Sequence, residues 1–294
     1  MMAEKDLQTI IDAFRAFVHG GGWSIVAEKE IAYGYQLMVT DGINKVPVDL
    51  FESGKTLIQG KPSVLQAELR SWYQVPATAT ATTGMARIGL DESGKGDYFG
   101  PLVIGVVYVD GLTETQLITL GVRDSKLLSD HRILAMAETI KGTCPHFVVS
   151  IGPKTYNEMY ERMQNLNQLL AWGHARSLEK VLEKVSCDLA IADQFGDESY
   201  LLDALGEKGR LIKLEQRPHA ESDFAVAAAS ILARAEFVRQ MEQLSSRVGK
   251  KLPKGAFDPS IITIGREIVA QGGESALADV AKLHFKTTKV ILQN

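Results

Sequence analysis

The chain has only two cysteines, Cys144 and Cys187, in 294 residues. That is too few for a disulfide framework, and their spacing is not that of a metal site, so both are expected to be buried small apolar residues in a reducing compartment. Long hydrophobic runs are also missing. No stretch approaches the roughly 20 apolar residues of a membrane span, and the opening MMAEKDLQTIIDAFRAFV mixes both charge signs without the apolar block of a signal peptide. A cytoplasmic protein is expected. Nor is there an excess of positive charge: the formal net charge is -4 and the pI is near 5.9. Any polyanionic partner would have to be held by local patches rather than by the field of the whole chain. What remains, 45% hydrophobic and 23% charged residues, is the composition of a globular protein with a real core.

The length suggests about two domains. Leu7, Ile10, Ile11, Phe14 and Phe17 recur at helical spacing, and Gly20, Gly21 and Gly22 end that helix. WSIVAEKEIAYGYQLMVTDG, NKVPVDLFESG and KTLIQGKP then alternate apolar with polar residues between turn formers, which predicts a strand meander. SVLQAELRSWY closes this first unit, residues 1–75, with a second helix. Residues 76–86, PATATATTGMA, are small and aperiodic and predict a linker. In the second unit, 87–294, strands are predicted in RIGLDE, PLVIGVVYVD, HFVVSIG, CDLAIADQF and RLIKLEQ. The strongest helices are DHRILAMAETIKG, LNQLLAWGHARSLEKVLEKV and DFAVAAASILARAEFVRQMEQL. Strand pairs followed by helix–strand alternation predict an α/β fold, a mixed sheet flanked by helices. Trp23, Trp72 and Trp172 lie in apolar-patterned segments and are expected in the core.

The chemistry concentrates in GLDESGKGDYFGP, residues 89–101. Gly89, Gly94 and Lys95 fit the frame of a phosphate-cradling loop, but Gly96 stands where that loop needs Ser or Thr for magnesium. Two carboxylates, Asp91 and Glu92, would also face the triphosphate and repel it. SGKT at 53–56 has Asp49 in place of the first glycine and is read as a turn. Asp91 and Glu92 point to opposite faces if the strand runs straight through them. Should it end at Asp91, the glycines that follow would let Glu92 swing to the same side. Asp193 ends another apolar run, and Glu221 and Asp223 precede an Ala-rich helix, where Asp223 or Ser222 would equally serve as a cap. Carboxylates gathered without His or Cys favour hard cations, and a pair of such ions suits phosphoryl displacement.

GLDESGKGDYFGPLVIG, RDSKLL, NLNQLLAWGHA, ADQF, AVAAASILAR, LPKGA and KLHFKTT occur in that order between residues 87 and 290. Together they resemble the type 2 ribonuclease H family, its ribonuclease HIII branch in particular. The resemblance implies an RNase H-like fold and a first unit similar to the TATA-binding-protein-like, substrate-gripping domain of that branch. It also implies cleavage of the RNA strand of RNA–DNA hybrids with two Mg2+ or Mn2+ ions, leaving 5′-phosphate and 3′-hydroxyl ends. No membrane and no protein partner is implied, and a monomer suffices.

Position by position, Asp91, Glu92 and Asp193 match the family's acids. The fourth falls on Asp223 or Glu221, with Asp223 favoured for its adjacency to the helix. Gly94, Lys95 and Gly96 match the turn that contacts ribose 2′-hydroxyls. Lys126 is expected at a phosphate, and Asn165 and Asn167 at the substrate, unless one of them only caps its helix. His174, inside a helix, is left as a packed residue. Arg247 to Lys254 and Lys282 to Lys289 are the candidate basic patches or, equally, solvated charge. Two other activities stay open: nicking at single ribonucleotides in DNA, as by ribonuclease HII, and hybrid binding without turnover.

Overall fold

A computed structural model gives the fold and describes residues 7–53, 55–72, 84–122, 125 and 128–293. Most of the expected linker, and Lys126, lie outside these. The chain divides into two compact units, one of residues 1–81 with 126–132, the other of 82–125 with 133–294. The inclusion of 126–132 in the first unit is not visible in composition; Arg132 carries its guanidinium 5.3 Å from the ring of Phe17.

In the first unit α1 (Leu7–Gly20) precedes β1 (Ser24–Ile31), β2 (Gly34–Thr40), β3 (Lys45–Phe51) and β4 (Thr56–Ile58), and α2 (Val64–Leu69) follows. The strands form an antiparallel meander in the order β1-β2-β3-β4. Alternation decides its faces. Leu37 and Val39 of β2 and Val46, Val48 and Leu50 of β3 are buried with Phe14 of α1 and Leu65 and Leu69 of α2. On the other face Asp49 accepts hydrogen bonds from Gln36 and Gln59, both at 2.6 Å.

The second unit opens with β5 (Arg87–Ser93) and β6 (Leu102–Val109), followed by α3 (Gly111–Leu120), α4 (Asp130–Thr143, whose residues up to Arg132 belong to the first unit), β7 (His146–Ile151), α5 (Pro153–Met163) and α6 (Leu166–Leu182). Then come β8 (Leu189–Asp193), α7 (Glu198–Ala204), β9 (Lys213–Arg217), α8 (Phe224–Val248), α9 (Ser260–Ala278) and α10 (Lys286–Leu292). The sheet runs β7-β6-β5-β8-β9. β5 is antiparallel to β6 and parallel to β8, so the C-terminal ends of β5, β8 and β9 lie together. Ile88, Leu90, Ile104 and Val106 face α6 through Ala171, Ala175 and Leu178.

The opposite face is closed by α8. A methyl group at Gly89 would overlap the backbone of Ala225 and Val226, and one at Gly105 would overlap the carbonyl oxygen of Ala229. Gly89 pairs with Val107 and Gly105 with Asp91, so the two glycines lie on one face of adjacent strands. The alanines Ala225, Ala228, Ala229 and Ala233 are wholly buried. Small residues on both partners therefore bring a helix backbone directly onto a sheet backbone. Trp172 departs from expectation, being 37% exposed, and Cys187 is only partly buried while Cys144 is buried.

Because the obstacle at Gly89 is main chain, no side chain can move aside. Gly89→Ala should destabilise the protein by about 1–3 kcal/mol. Gly96→Ala, where an added carbon meets no atom within 4 Å, should leave stability unchanged. Urea unfolding of the two variants beside the parent checks both.

Candidate functional site

The strand β5 does not stop at Asp91; it pairs with β6 through Ser93. Asp91 and Glu92 accordingly stay on opposite faces, and the swing that a shorter strand would have allowed does not take place. Asp91 shares its face with Gly89 and meets α8, where it is hydrogen-bonded by the Ser230 side chain. The Ser230 hydroxyl is in turn 2.7 Å from that of Ser125. With the Ser230 proton directed at the carboxylate, Ser125 donates to Ser230. The backbone N–H of Glu92 adds a bond of 2.7 Å to Asp91 Oδ1.

Glu92 shares the other face with Ile88 and Leu90 and meets α6. Its Oε2 lies 3.0 Å from His174 Nε2, and its Oε1 accepts from Lys95 Nζ at 2.9 Å. His174 is wholly buried and stacked on Phe195, with ring centroids 5.0 Å apart. It is thus the residue that sets the Glu92 carboxylate, a role that its place on an apolar helix face did not announce. The signal available was the register: His174 lies three residues beyond Ala171 and one before Ala175, on the helix face turned to β5.

These two environments separate the carboxylates electrostatically. Burial, followed by the charge of Glu92, pushes Asp91 up to about 7, against the Ser230 and backbone hydrogen bonds, and Asp193 adds to the rise. Glu92 is driven the other way. Burial opposes its ionisation, but the hydrogen bond and charge of His174, with those of Lys95, bring it down to about 2. The contribution of Asp193 to Asp91 also places these two acids close enough to repel each other.

Asp193 ends β8 and accepts from the backbone N–H of Ala220 at 3.2 Å. This bond brings the 3-10 turn Ala220–Ser222, with Glu221 in it, to the end of β8. Asp223 does not join the other acids. Its Oδ1 caps α8 through the N–H of Ala225 at 2.8 Å, and its Oδ2 accepts from Arg87 Nε at 2.6 Å. Arg87 begins β5 and is itself buried and paired with Glu114 at 2.7 Å. Asp223 also precedes Ser230, the partner of Asp91, by seven helical residues, about 10 Å of axial rise. The favoured fourth acid is therefore occupied at the far end of β5.

Gly94 and Gly96 serve different ends. Gly94 has φ +89°, and a side chain there would strike the Pro101 carbonyl oxygen and lie 2.9 Å from the Phe237 ring. Gly96 borders open space. The turn is tied down from two distant segments. Asp97 Oδ1 accepts from Gly255 N–H at 2.6 Å, the Tyr98 N–H donates to the Gly255 carbonyl at 2.9 Å, and Lys282 Nζ donates to the carbonyls of Asp97 and Gly100 at 2.8 and 2.7 Å. Lys282 is fully buried, so the expected basic patch beginning there is in part an internal clamp. In the other patch Arg247 donates to the Asp279 carbonyl at 2.9 Å and Lys250 pairs with Glu267.

Asn165 caps α6 by accepting from Asn167 and Gln168 N–H, and donates to the Tyr200 hydroxyl at 3.2 Å. The capping alternative thus describes it. The Asn167 side chain lies against Gly196, in the loop that follows Asp193.

Among the described residues no three His, Cys, Asp or Glu side chains are drawn together closely enough to enclose a metal ion, and no helix is long and apolar enough to cross a membrane. The donor chemistry nevertheless fits a hard cation. Asp91 and Asp193 are all-oxygen donors whose mutual repulsion, deepened by burial, is relieved by positive charge.

Comparison with known proteins gives the family. Residues 88–288 match the family profile for ribonuclease HII. A ribonuclease HIII of Protochlamydia amoebophila is 43% identical over 249 residues, 83% of this chain and 82% of the relative, and that of Chlamydia felis is 43% identical over 81% of each. Among solved structures, Bst-RNase HIII in complex with Mn2+ superposes with a TM-score of 0.67 at 32% identity, covering 97% of this chain and 96% of that one. The ribonuclease H2 of Pyrococcus horikoshii shares the fold over 70% of this chain, with a TM-score of 0.61 at 24% identity. With its acids at the adjoining ends of β5 and β8 and a glycine–lysine–glycine turn beside them, the chain belongs to the ribonuclease HIII family.

Proposed function

We propose that this ribonuclease H cleaves the RNA strand of RNA–DNA hybrids by metal-dependent hydrolysis, leaving 5′-phosphate and 3′-hydroxyl ends. The observation that carries the reading is the opposed pair on β5: one carboxylate raised by burial and then by like charge, beside Ser230, its neighbour held ionised by His174 at 3.0 Å and Lys95 at 2.9 Å. Two divalent ions, when bound, would supply an activated water and charge neutralisation at the leaving oxygen.

The protein's own part is positioning. Asp91, Glu92 and Asp193 offer the oxygens. Glu221 is assigned as the fourth acid in preference to Asp223, because its turn is bonded to Asp193 whereas Asp223 is committed to Arg87 and the α8 cap. His174 fixes Glu92 from behind. Gly94, Lys95 and Gly96 present the turn to the ribose. Gly94 is required by the interior, but nothing inside the protein requires glycine at 96, which supports close approach of a ligand from outside and hence recognition of the 2′-hydroxyl. The first unit, by its resemblance to the substrate-gripping domain of this branch, is assigned to hold the hybrid. Lys126 is retained as a phosphate contact, and Asn167, next to the loop after Asp193, as a substrate contact.

Cleavage of a labelled hybrid in Mg2+ or Mn2+ tests the reading. Asp193→Asn and Glu221→Gln should each lower kcat about a hundredfold or more. Asp223→Asn should chiefly lower the melting temperature, since it removes the charge that pairs with buried Arg87 while leaving the cap of α8 in place. An Asp193→Asn enzyme that cuts like the parent refutes the assignment, and a Glu221→Gln enzyme that does so returns the fourth position to Asp223. A DNA duplex carrying one ribonucleotide separates the reading from a ribonuclease HII-type nick.

The raised Asp91 also predicts a pH dependence. Its folded value near 7 lies above the unfolded carboxylate range of about 4. The folded state therefore holds a proton that the unfolded state has lost, and the metal-free protein should lose stability as pH rises from about 4 to about 7. Asp91→Asn should flatten that slope and melt a few degrees higher than the parent at pH 8 in chelator. Thermal melts across this range measure it, and coincident curves for the two proteins would contradict the burial of Asp91 beside other carboxylates.

A further inference from the structure

Phe257 is 98% exposed. A lone exposed apolar residue is ordinary, and Ile43, Leu211 and Leu112 are also largely bare. Phe257 differs in what holds it. It lies two residues beyond Gly255, whose N–H and carbonyl are both bonded to the Asp97–Tyr98 segment. Two residues span at most about 7 Å, so the main chain at 257 lies within that distance of Gly255, the residue bonded to the segment that closes the Gly94–Gly96 turn.

On its other side the chain is fixed as well. Asp258 Oδ1 accepts from the N–H and hydroxyl of Ser260, at 2.9 and 2.6 Å, where α9 begins. The main chain that carries the bare ring is thus held on both sides, and an aromatic side chain has few rotamers to lose on contact. Exposed Lys251 and the nearby Lys254 give the same loop positive charge.

We propose that Phe257 is a substrate-contacting residue, laying its ring into the minor groove of the hybrid beside the Gly94–Gly96 turn. The inference rests on the reading that this turn faces the RNA–DNA hybrid. The groove of such an A-like duplex is wide and shallow and exposes sugar faces, and apolar side chains are the usual wedges and platforms at minor-groove surfaces.

Three measurements on the full-length enzyme with a short fluorescein-labelled RNA–DNA hybrid test it. Phe257→Ala should raise KM, and raise Kd measured in an Asp193→Asn background, by about tenfold, the scale of a lost aromatic contact with nucleic acid. Its kcat should stay within about twofold and its melting temperature unchanged, because the ring has no internal contact to lose. Phe257→Trp should restore the parent KM. A photo-crosslinking benzoylphenylalanine at 257 should label the hybrid, whereas one at Leu112 should not. If Phe257→Ala keeps the parent KM and Kd, or the probe at 257 labels nothing while the enzyme cuts, Phe257 makes no contact and the proposal falls alone. A parent enzyme that neither binds nor cuts the hybrid would overturn both the proposal and the reading beneath it.

Discussion

The contact between α8 and the two central strands is made backbone to backbone. Gly89 and Gly105 have no Cβ to hold the helix off, and Ala225 and Ala229 answer them from the other side. At that separation α8 can neither roll nor slide without a clash that no rotamer relieves. The helix then acts as a ruler laid along β5. Asp223 at its cap meets Arg87 at the strand's beginning, Ser230 meets Asp91, Phe237 lies under Gly94, and Met241 lies under Gly100. Each seven-residue step advances about 10 Å, so the order of side chains along the helix fixes the order of functions along the strand. The strength of this arrangement lies in what is missing: a single methyl group on either glycine would displace the acid that the serine holds.

The alternation of a β-strand does the rest. Since β5 continues through Ser93, adjacent acids are delivered to different surroundings rather than to one. Asp91 enters a face where its near neighbours are hydroxyls and like charges, while Glu92 enters one with a histidine and a lysine. Being consecutive in β5, they nevertheless both stay at the end of the sheet where β8 brings Asp193. A buried carboxylate without a cation partner is costly in isolation. That cost is tolerable where a cation is the expected guest, and it would be a defect elsewhere.

Much of this was legible in the residues. The meander of the first unit, the strands that became β5 to β8, and the long helices α4, α6 and α8 all follow from periodicity and punctuation, and β9 was displaced by only a few residues. The strand-to-turn placement of the contiguous motif Asp91 to Gly96 was also readable. What could not be read was whatever depended on a partner far along the chain. Glu221 and Asp223 sit two residues apart, and nothing local separates them. Arg87, 136 residues before Asp223, takes that carboxylate for an ion pair, and this is what favours Glu221 in the proposed assignment. His174 looked like packing because its partner is 82 residues away. Lys282 looked like surface charge because the carbonyls that accept its bonds belong to another loop.

That last residue explains why several scattered motifs travel with the acids. The turn of Gly94 to Gly96 has little internal bonding; within it, Asp97 N–H reaches the Gly94 carbonyl at 3.2 Å. It takes its shape from outside, from Gly255 in LPKGA and from Lys282 in KLHFKTT. A lysine buried among carbonyls has surrendered its hydration, and burial lowers its pKa to about 7 although the charge of Asp97 resists. Such a residue is poorly placed to bind phosphate and well placed to hold main chain. The segments 250–258 and 281–285 are therefore parts of the turn in every sense but sequence, and the position of Lys95 over Glu92 is the sum of bonds made by residues that never approach the acids themselves.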